Sequence, residues 1–224
     1  MADYTITNGK AGVPRQYVRG GLRIDIPESA SVEEHPIVSG DYSVTPYFGL
    51  VLDSAPSVPP ESEATIYVNL PVDTGIYLFG KGVHTLIDEV PRWPLKYSLY
   101  GTPSDGITFR YFRAPYHSKP PKREKHKVLA RVRIFNREDE WIVVSKFLFP
   151  QKYYNMFKTE DGEVVGEAVD IYVESANLAT VTLKNKSSQG RSSSVLLHGP
   201  QPTAKAMAHI KQNLVSIFEM RHGL

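Results

Sequence analysis

Between residues 47 and 184, apolar and polar positions alternate with period two, and no helical stripe appears before Thr203. Ala64, Ile66, Val68 and Leu70 share one face of their segment, while Thr65, Tyr67 and Asn69 share the other. The same alternation recurs in Val128-Ala130-Val132-Ile134, Trp141-Val143-Phe147, Val169-Ile171-Val173 and Ala179-Val181-Leu183. Side chains of a strand point alternately to opposite faces, so each segment predicts a strand with one face buried. The pattern assigns Ile66, Val68, Leu70, Val132, Ile134, Trp141, Val143, Phe147, Ile171 and Val181 to the core.

The breaks between segments are turn-like. Gly80-Lys81-Gly82 predicts a tight hairpin, and Asp161-Gly162 predicts another. Pro103 and Gly106 mark a turn over 102–106, and the polar residues 136–140 are expected to join 127–135 and 141–149 as a hairpin. Pro56, Pro59 and Pro60 make 54–63 a surface loop, and 114–126 reads as a long charged loop. Eleven or so strands cannot remain comfortably in one open sheet. The expected fold is all-β: a two-sheet β-sandwich, jelly-roll or immunoglobulin-like, over residues 22–185. Residues 1–21 are expected to be flexible, and 186–202, with the run SSQGRSSS, to be a linker. Beyond Pro202 the period changes. Met207, Ile210, Leu214, Ile217 and Phe218 form a helical stripe, which predicts an amphipathic helix over 203–222.

Composition narrows this picture in two ways. Among 224 residues there is no cysteine, which excludes a disulfide scaffold and thiolate chemistry. Residues 1–12 lack the apolar core of a signal peptide, and no run approaches the roughly 20 apolar residues of a membrane span, so a cytoplasmic location is expected. The net charge of +2 conceals an asymmetry. Residues 110–133 hold nine Lys/Arg against Glu124 alone, whereas residues 1–109 hold 7 Lys/Arg against 13 Asp/Glu.

Several words in the middle of the chain carry a resemblance. They are Pro71-Val72-Asp73, Gly75-Ile76-Tyr77-Leu78, Leu86-Ile87-Asp88, then Lys96-Tyr97-Ser98-Leu99-Tyr100-Gly101-Thr102-Pro103. Gly106-Ile107, Arg110-Tyr111, Asn136, Trp141, Val144-Ser145-Lys146 and Phe149 follow in order. Over about residues 45–185 the chain resembles an archaeal domain-of-unknown-function family, number 432. The resemblance implies an archaeal origin and a compact β domain, and it assigns no catalytic residues.

The basic stretch is the sharpest candidate for chemistry. Arg110, Arg131 and Arg133 fall on strands, Arg113 just past the end of the first, and Lys119, Lys122, Arg123 and Lys125 on the loop between them. If those strands pair, they form an anion-binding face on which Tyr97, Tyr100, Phe112 and Tyr116 supply stacking surfaces. Charge that merely protects sheet edges would give the same sequence. A metal site is not expected: His84 and Asp88 are about 13 Å apart along a strand, and His117 and His126 lie among cations. Ser98 and Ser145 lack a nucleophile elbow, Asp88 and Glu89 point to opposite faces, and Gly80-Lys81-Gly82 is too short for a phosphate loop. No cofactor is expected, and an enzyme is the third reading, as a carbohydrate-active or hydrolytic one. The first is a non-catalytic binding or protein-interaction module, its helix stripe docking on its own domain, on a second copy or on another protein. The second is a single-stranded nucleic-acid-binding protein using the basic face.

Overall fold

The computed structural model describes residues 4–7, 9, 14–38, 44–104, 106–151, 154–175, 178–188, 195–198 and 210–213. Strands dominate, and no α-helix occurs among the described residues. The chain divides into two compact units where the alternation predicts one domain. Unit 1 combines Met1–Ser39 with Val72–Pro94, and unit 2 combines Gly40–Pro71 with Leu95–Leu224.

Unit 1 contains two three-stranded antiparallel sheets. The first runs β1 (Thr5–Thr7), β2 (Arg15–Arg19), β3 (Leu22–Ile26), and so places strands inside the segment expected to be flexible. The second has β8 (Asp73–Gly80) between β4 (Ser31–Ile37) and β9 (Val83–Val90). Lys81 and Gly82, at φ 51° and 77°, turn the predicted β8–β9 hairpin with the left-handed residues a tight twisted connection requires. Tyr17, Ile26, Ile76 and Val90 form the buried core.

The Tyr17 hydroxyl donates to Asp88 Oδ2 at 2.6 Å, and Arg19 holds both oxygens of the same carboxylate. Burial, then the hydrogen bond to Asp88, pushes the Tyr17 pKa up to about 12. Burial works to raise the Asp88 pKa, but the hydrogen bonds from Arg19 and Tyr17 outweigh it and lower the value. A phenol with a raised folded pKa stabilises fully below its unfolded value of about 10 and loses that contribution as pH rises through its folded value. The wild-type melting temperature should therefore fall between about pH 10 and 12 more steeply than that of Tyr17→Phe. Parallel alkaline limbs for the two proteins would refute the coupling.

Unit 2 holds a four-stranded sheet in the order β10 (Tyr97–Tyr100), β11 (Ile107–Ala114), β5 (Tyr47–Leu52), β15 (Lys146–Pro150). β5 and β11 are parallel, and the near-continuous apolar run of β5 suits a strand covered on both faces. A larger, eight-stranded sheet begins with β12 (Tyr116–His117), β7 (Glu63–Pro71), β13 (Lys127–Asn136) and β17 (Val164–Ser175). The far edge of β17 pairs with β16 (Met156–Lys158) and with β18 (Leu178–Ser187). β19 (Val195–His198) extends β16, and β20 (Ile210–Asn213) extends β18. β6 (Ser57–Val58) and β14 (Ile142–Val143) form a separate pair. The predicted Asp-Gly hairpin joins β16 and β17, with Gly162 at φ 77°. Phe149 on the smaller sheet meets Tyr154 at 4.8 Å, and the Tyr154 hydroxyl donates to the Glu167 carbonyl on β17.

Two expectations are corrected. The segments 127–135 and 141–149 do not form a hairpin: β13 pairs with β7 and β17, whereas β15 pairs with β5 in the other sheet. Trp141 is 63% exposed, while Ile142 and Val144 are buried. Alternation does not run unbroken across 136–145, because the chain leaves one sheet for another there, and the face assignment inverts. Most of the helix predicted over 203–222 lies outside the described residues, including Met207, Leu214, Ile217 and Phe218. The four residues described, Ile210–Asn213, are extended and paired with β18. Val195–His198, within the expected linker, are likewise a strand.

Candidate binding face

Register decides which basic residues meet. On β13, Leu129, Arg131 and Arg133 lie opposite Asn69, Tyr67 and Thr65 of β7. On its other side, Arg133 and Phe135 lie opposite Asp170 and Tyr172 of β17, which in turn oppose Thr182 and Thr180 of β18. Val132 and Ile134, between them, are buried on the opposite face. The result is one half-exposed face with arginines and aromatics on alternate positions of the same strand.

Asp170 anchors its centre. Fully buried, it accepts from Arg133 Nε at 2.9 Å and from Nη2 at 2.7 Å, a two-toothed geometry that only guanidinium offers. Lys184 Nζ is 3.4 Å away, and the Tyr172 hydroxyl donates at 3.2 Å. The hydrogen bonds to Asp170 raise the Arg133 pKa, with burial opposing.

Beside this cluster stand two stacked rings, each with a guanidinium against it. The rings of Phe135 and Tyr172 lie 4.6 Å apart and within 10° of parallel. The Arg133 guanidinium lies 5.2 Å from the Phe135 ring centre, and that of Arg137 4.8 Å from the Tyr172 ring centre. A cation against a ring face is favoured by the ring quadrupole. Arg137 is also 3.8 Å from Glu174.

The loop of residues 118–126 reaches the other end of the same face. Asn69 Nδ2 donates to the Lys122 carbonyl and to Glu124 Oε1, each at 3.0 Å. Arg123 pairs with Glu163 at 2.6 Å, and Lys127 with Glu124 at 2.6 Å. The Lys127 and Asn69 hydrogen bonds hold the Glu124 pKa below its ordinary value. Lys119, Lys122 and Lys125 are exposed.

Of the predicted set, the fold gathers Arg131, Arg133 and the loop residues Lys119, Lys122, Arg123 and Lys125 within one unit around β13. Arg110 and Arg113 belong to β11 in the other sheet. Arg110 is buried, not solvent-facing, with its guanidinium 5.1 Å from the Phe112 ring, and Arg113 lies 3.5 Å from Asp53. Nor do the predicted stacking residues line the face. Tyr100 is 2% exposed, and burial raises its pKa. Tyr97 pairs with Arg110 on the smaller sheet, and Tyr116 pairs with Val68, whose side chain faces inward. The aromatics that do line it are Tyr67, Phe135 and Tyr172. Their signal was the odd-numbered phase of β13, Arg131-Arg133-Phe135, but the partner strand was not readable from spacing. Among the described residues no three His, Asp or Glu side chains are grouped to hold a metal ion, and no helix is long and apolar enough to cross a membrane.

Comparison with known families bears on the whole chain. The model of a family described as protein of unknown function, DUF432, matches residues 23–219. The chain belongs to that family. The DUF432 match takes in parts of both units and every strand of the binding face, and it extends beyond the middle segment whose words carry the resemblance. Comparison with curated proteins and with solved structures returned no match. For a DUF432 chain the site must therefore be argued from its own residues.

Proposed function

We propose that this protein is a non-catalytic binding module whose contact surface is the half-exposed face of the eight-stranded sheet, with unit 2 acting as a two-sheet sandwich that holds it rigid. One observation carries the proposal: the stacked rings of Phe135 and Tyr172 with the Arg133 and Arg137 guanidiniums against them, held by Asp170 and left half open. Arginine and large aromatics dominate the energetics of recognition surfaces because they bury much area at small entropic cost. The exposed indole of Trp141 follows Asn136 and Arg137 in the loop that ends β13, adding an anchor of the same kind. We propose too that the protein is archaeal, on the resemblance quoted above, and cytoplasmic, as its sequence leads one to expect.

The test compares wild type with Phe135→Ser/Tyr172→Ser as immobilised baits in native lysate. A component retained by wild type and lost by the variant, with both proteins giving the same circular dichroism, is the expected result. Equal retention by both would remove this face from the function.

Association through the C-terminal stripe of Met207, Ile210, Leu214, Ile217 and Phe218, with a second copy or another protein, is the alternative. Its support is the helical period of the sequence alone.

A further inference from the structure

We infer that the occupant of this face is single-stranded nucleic acid, its phosphates on Arg131 and the lysines of the 118–126 loop and its bases toward the aromatic stack. The inference rests on the binding-module reading above and adds the ligand class.

Two observations converge. The first is an excess of positive charge that the protein does not itself neutralise. Arg133, Arg123 and Lys127 have acidic partners within 2.7 Å, whereas Arg131, Lys119, Lys122 and Lys125 form no ion pair among the described residues. The second is that Arg131 leads toward the rings. Arg131, Arg133 and Phe135 alternate along β13, with Tyr172 of β17 beside Phe135. From Arg131 to Arg137 an extended chain spans roughly 20 Å, room for about three nucleotides. A polyanion without planar groups would satisfy the cations and leave the stack unused. A duplex would hide its bases from it. A single strand uses both, because every base has a π-face and stacks on a ring or a guanidinium plane.

The experiment uses the full chain and fluorescence anisotropy with four labelled probes: oligothymidine of about a dozen nucleotides, its abasic counterpart, a duplex of equal length, and polyglutamate of equal charge. Oligothymidine should bind at about 50 mM salt, with affinity falling as salt rises at a log–log slope of about −2 to −3, the value for three or four phosphate contacts at −0.7 each. The abasic strand should bind about tenfold or more weakly, since each stacked base contributes on the order of 1–3 kcal/mol. Lys122→Gln/Lys125→Gln/Arg131→Gln should flatten the slope by about 2. Tyr172→Leu should weaken oligothymidine and leave the abasic strand unchanged. These variants are polar or conservative changes at half-exposed or exposed positions, and circular dichroism is the check on their fold. No binding by oligothymidine, or equal binding by the duplex or the abasic strand, overturns the inference. Polyglutamate bound as tightly as oligothymidine, and lost with the same substitutions, overturns nucleic acid as the ligand while the binding face stands. Oligothymidine binding untouched by every substitution overturns the face as well.

Discussion

Gly49→Ala destabilises unit 2 by about 3 kcal/mol or more, and Gly49→Val leaves no cooperative unfolding transition in urea. Gly49 lies on β5 between β11 and β15, in the middle of the four-stranded sheet. A Cβ there would stand 2.3 Å from Phe109 Cδ2 and 2.5 Å from Leu148 Cδ2. Both side chains are essentially without solvent contact, so neither has an open rotamer to move into. The double variant Gly49→Ala/Leu148→Ala separates this clash from a simple loss of backbone freedom. It should be more stable than the sum of the two single changes, because the second makes room for the first. Strict additivity would show that the methyl group is accommodated elsewhere.

Asn136→Ala costs about 3–5 kcal/mol in chemical denaturation, the scale of several buried polar groups left unpaired. The Asn136 side chain is buried at the end of β13, with its amide nitrogen 3.1 Å from the Val58 carbonyl oxygen and 2.8 Å from those of Pro59 and Glu140. Its oxygen accepts from the Glu138 backbone N–H at 2.9 Å. One side chain thus supplies the internal partners of a loop that carries the chain from the larger sheet to β14. Asn136→Asp should be as damaging, because a carboxylate cannot donate to carbonyls and would bury a charge beside them. A loss below about 1 kcal/mol for Asn136→Ala would mean that water replaces the amide.

Much of the architecture was legible from period alone, for a physical reason. Ile66, Val68, Leu70, Val132, Ile134, Phe147, Ile171 and Val181 are all buried as alternation requires, because local geometry dictates which side chains share a face. Trp141 was misread because the rule holds only inside an unbroken strand, and the chain changes sheets between Asn136 and Lys146. The candidate site was half legible. Charge density singled out Arg131 and Arg133, which share a strand two residues apart. The aromatics that stand beside them depend on β13 and β17 lying parallel, a pairing across dozens of residues that no local signal encodes. Arg110 shows the converse error: a cation at a polar-phase position can be buried against aromatic rings when its strand is covered on both sides.

The interleaving of the two units bears on how the chain is made. Neither unit is continuous: residues 40–71 separate the two halves of unit 1, and residues 72–94 separate the two halves of unit 2. During synthesis, β4 emerges long before β8, against which it pairs, and β7 must wait for β13. At about 5–20 residues per second, the apolar faces of β5 and β7 remain uncovered for several seconds while the intervening segment is translated. Unit 1 can close as soon as residue 94 has left the ribosome, but unit 2, already begun at Gly40, finishes last. A nascent chain paused inside 72–94 would thus present half-built versions of both units at once, and that interval is when an aggregation-suppressing chaperone would have its substrate.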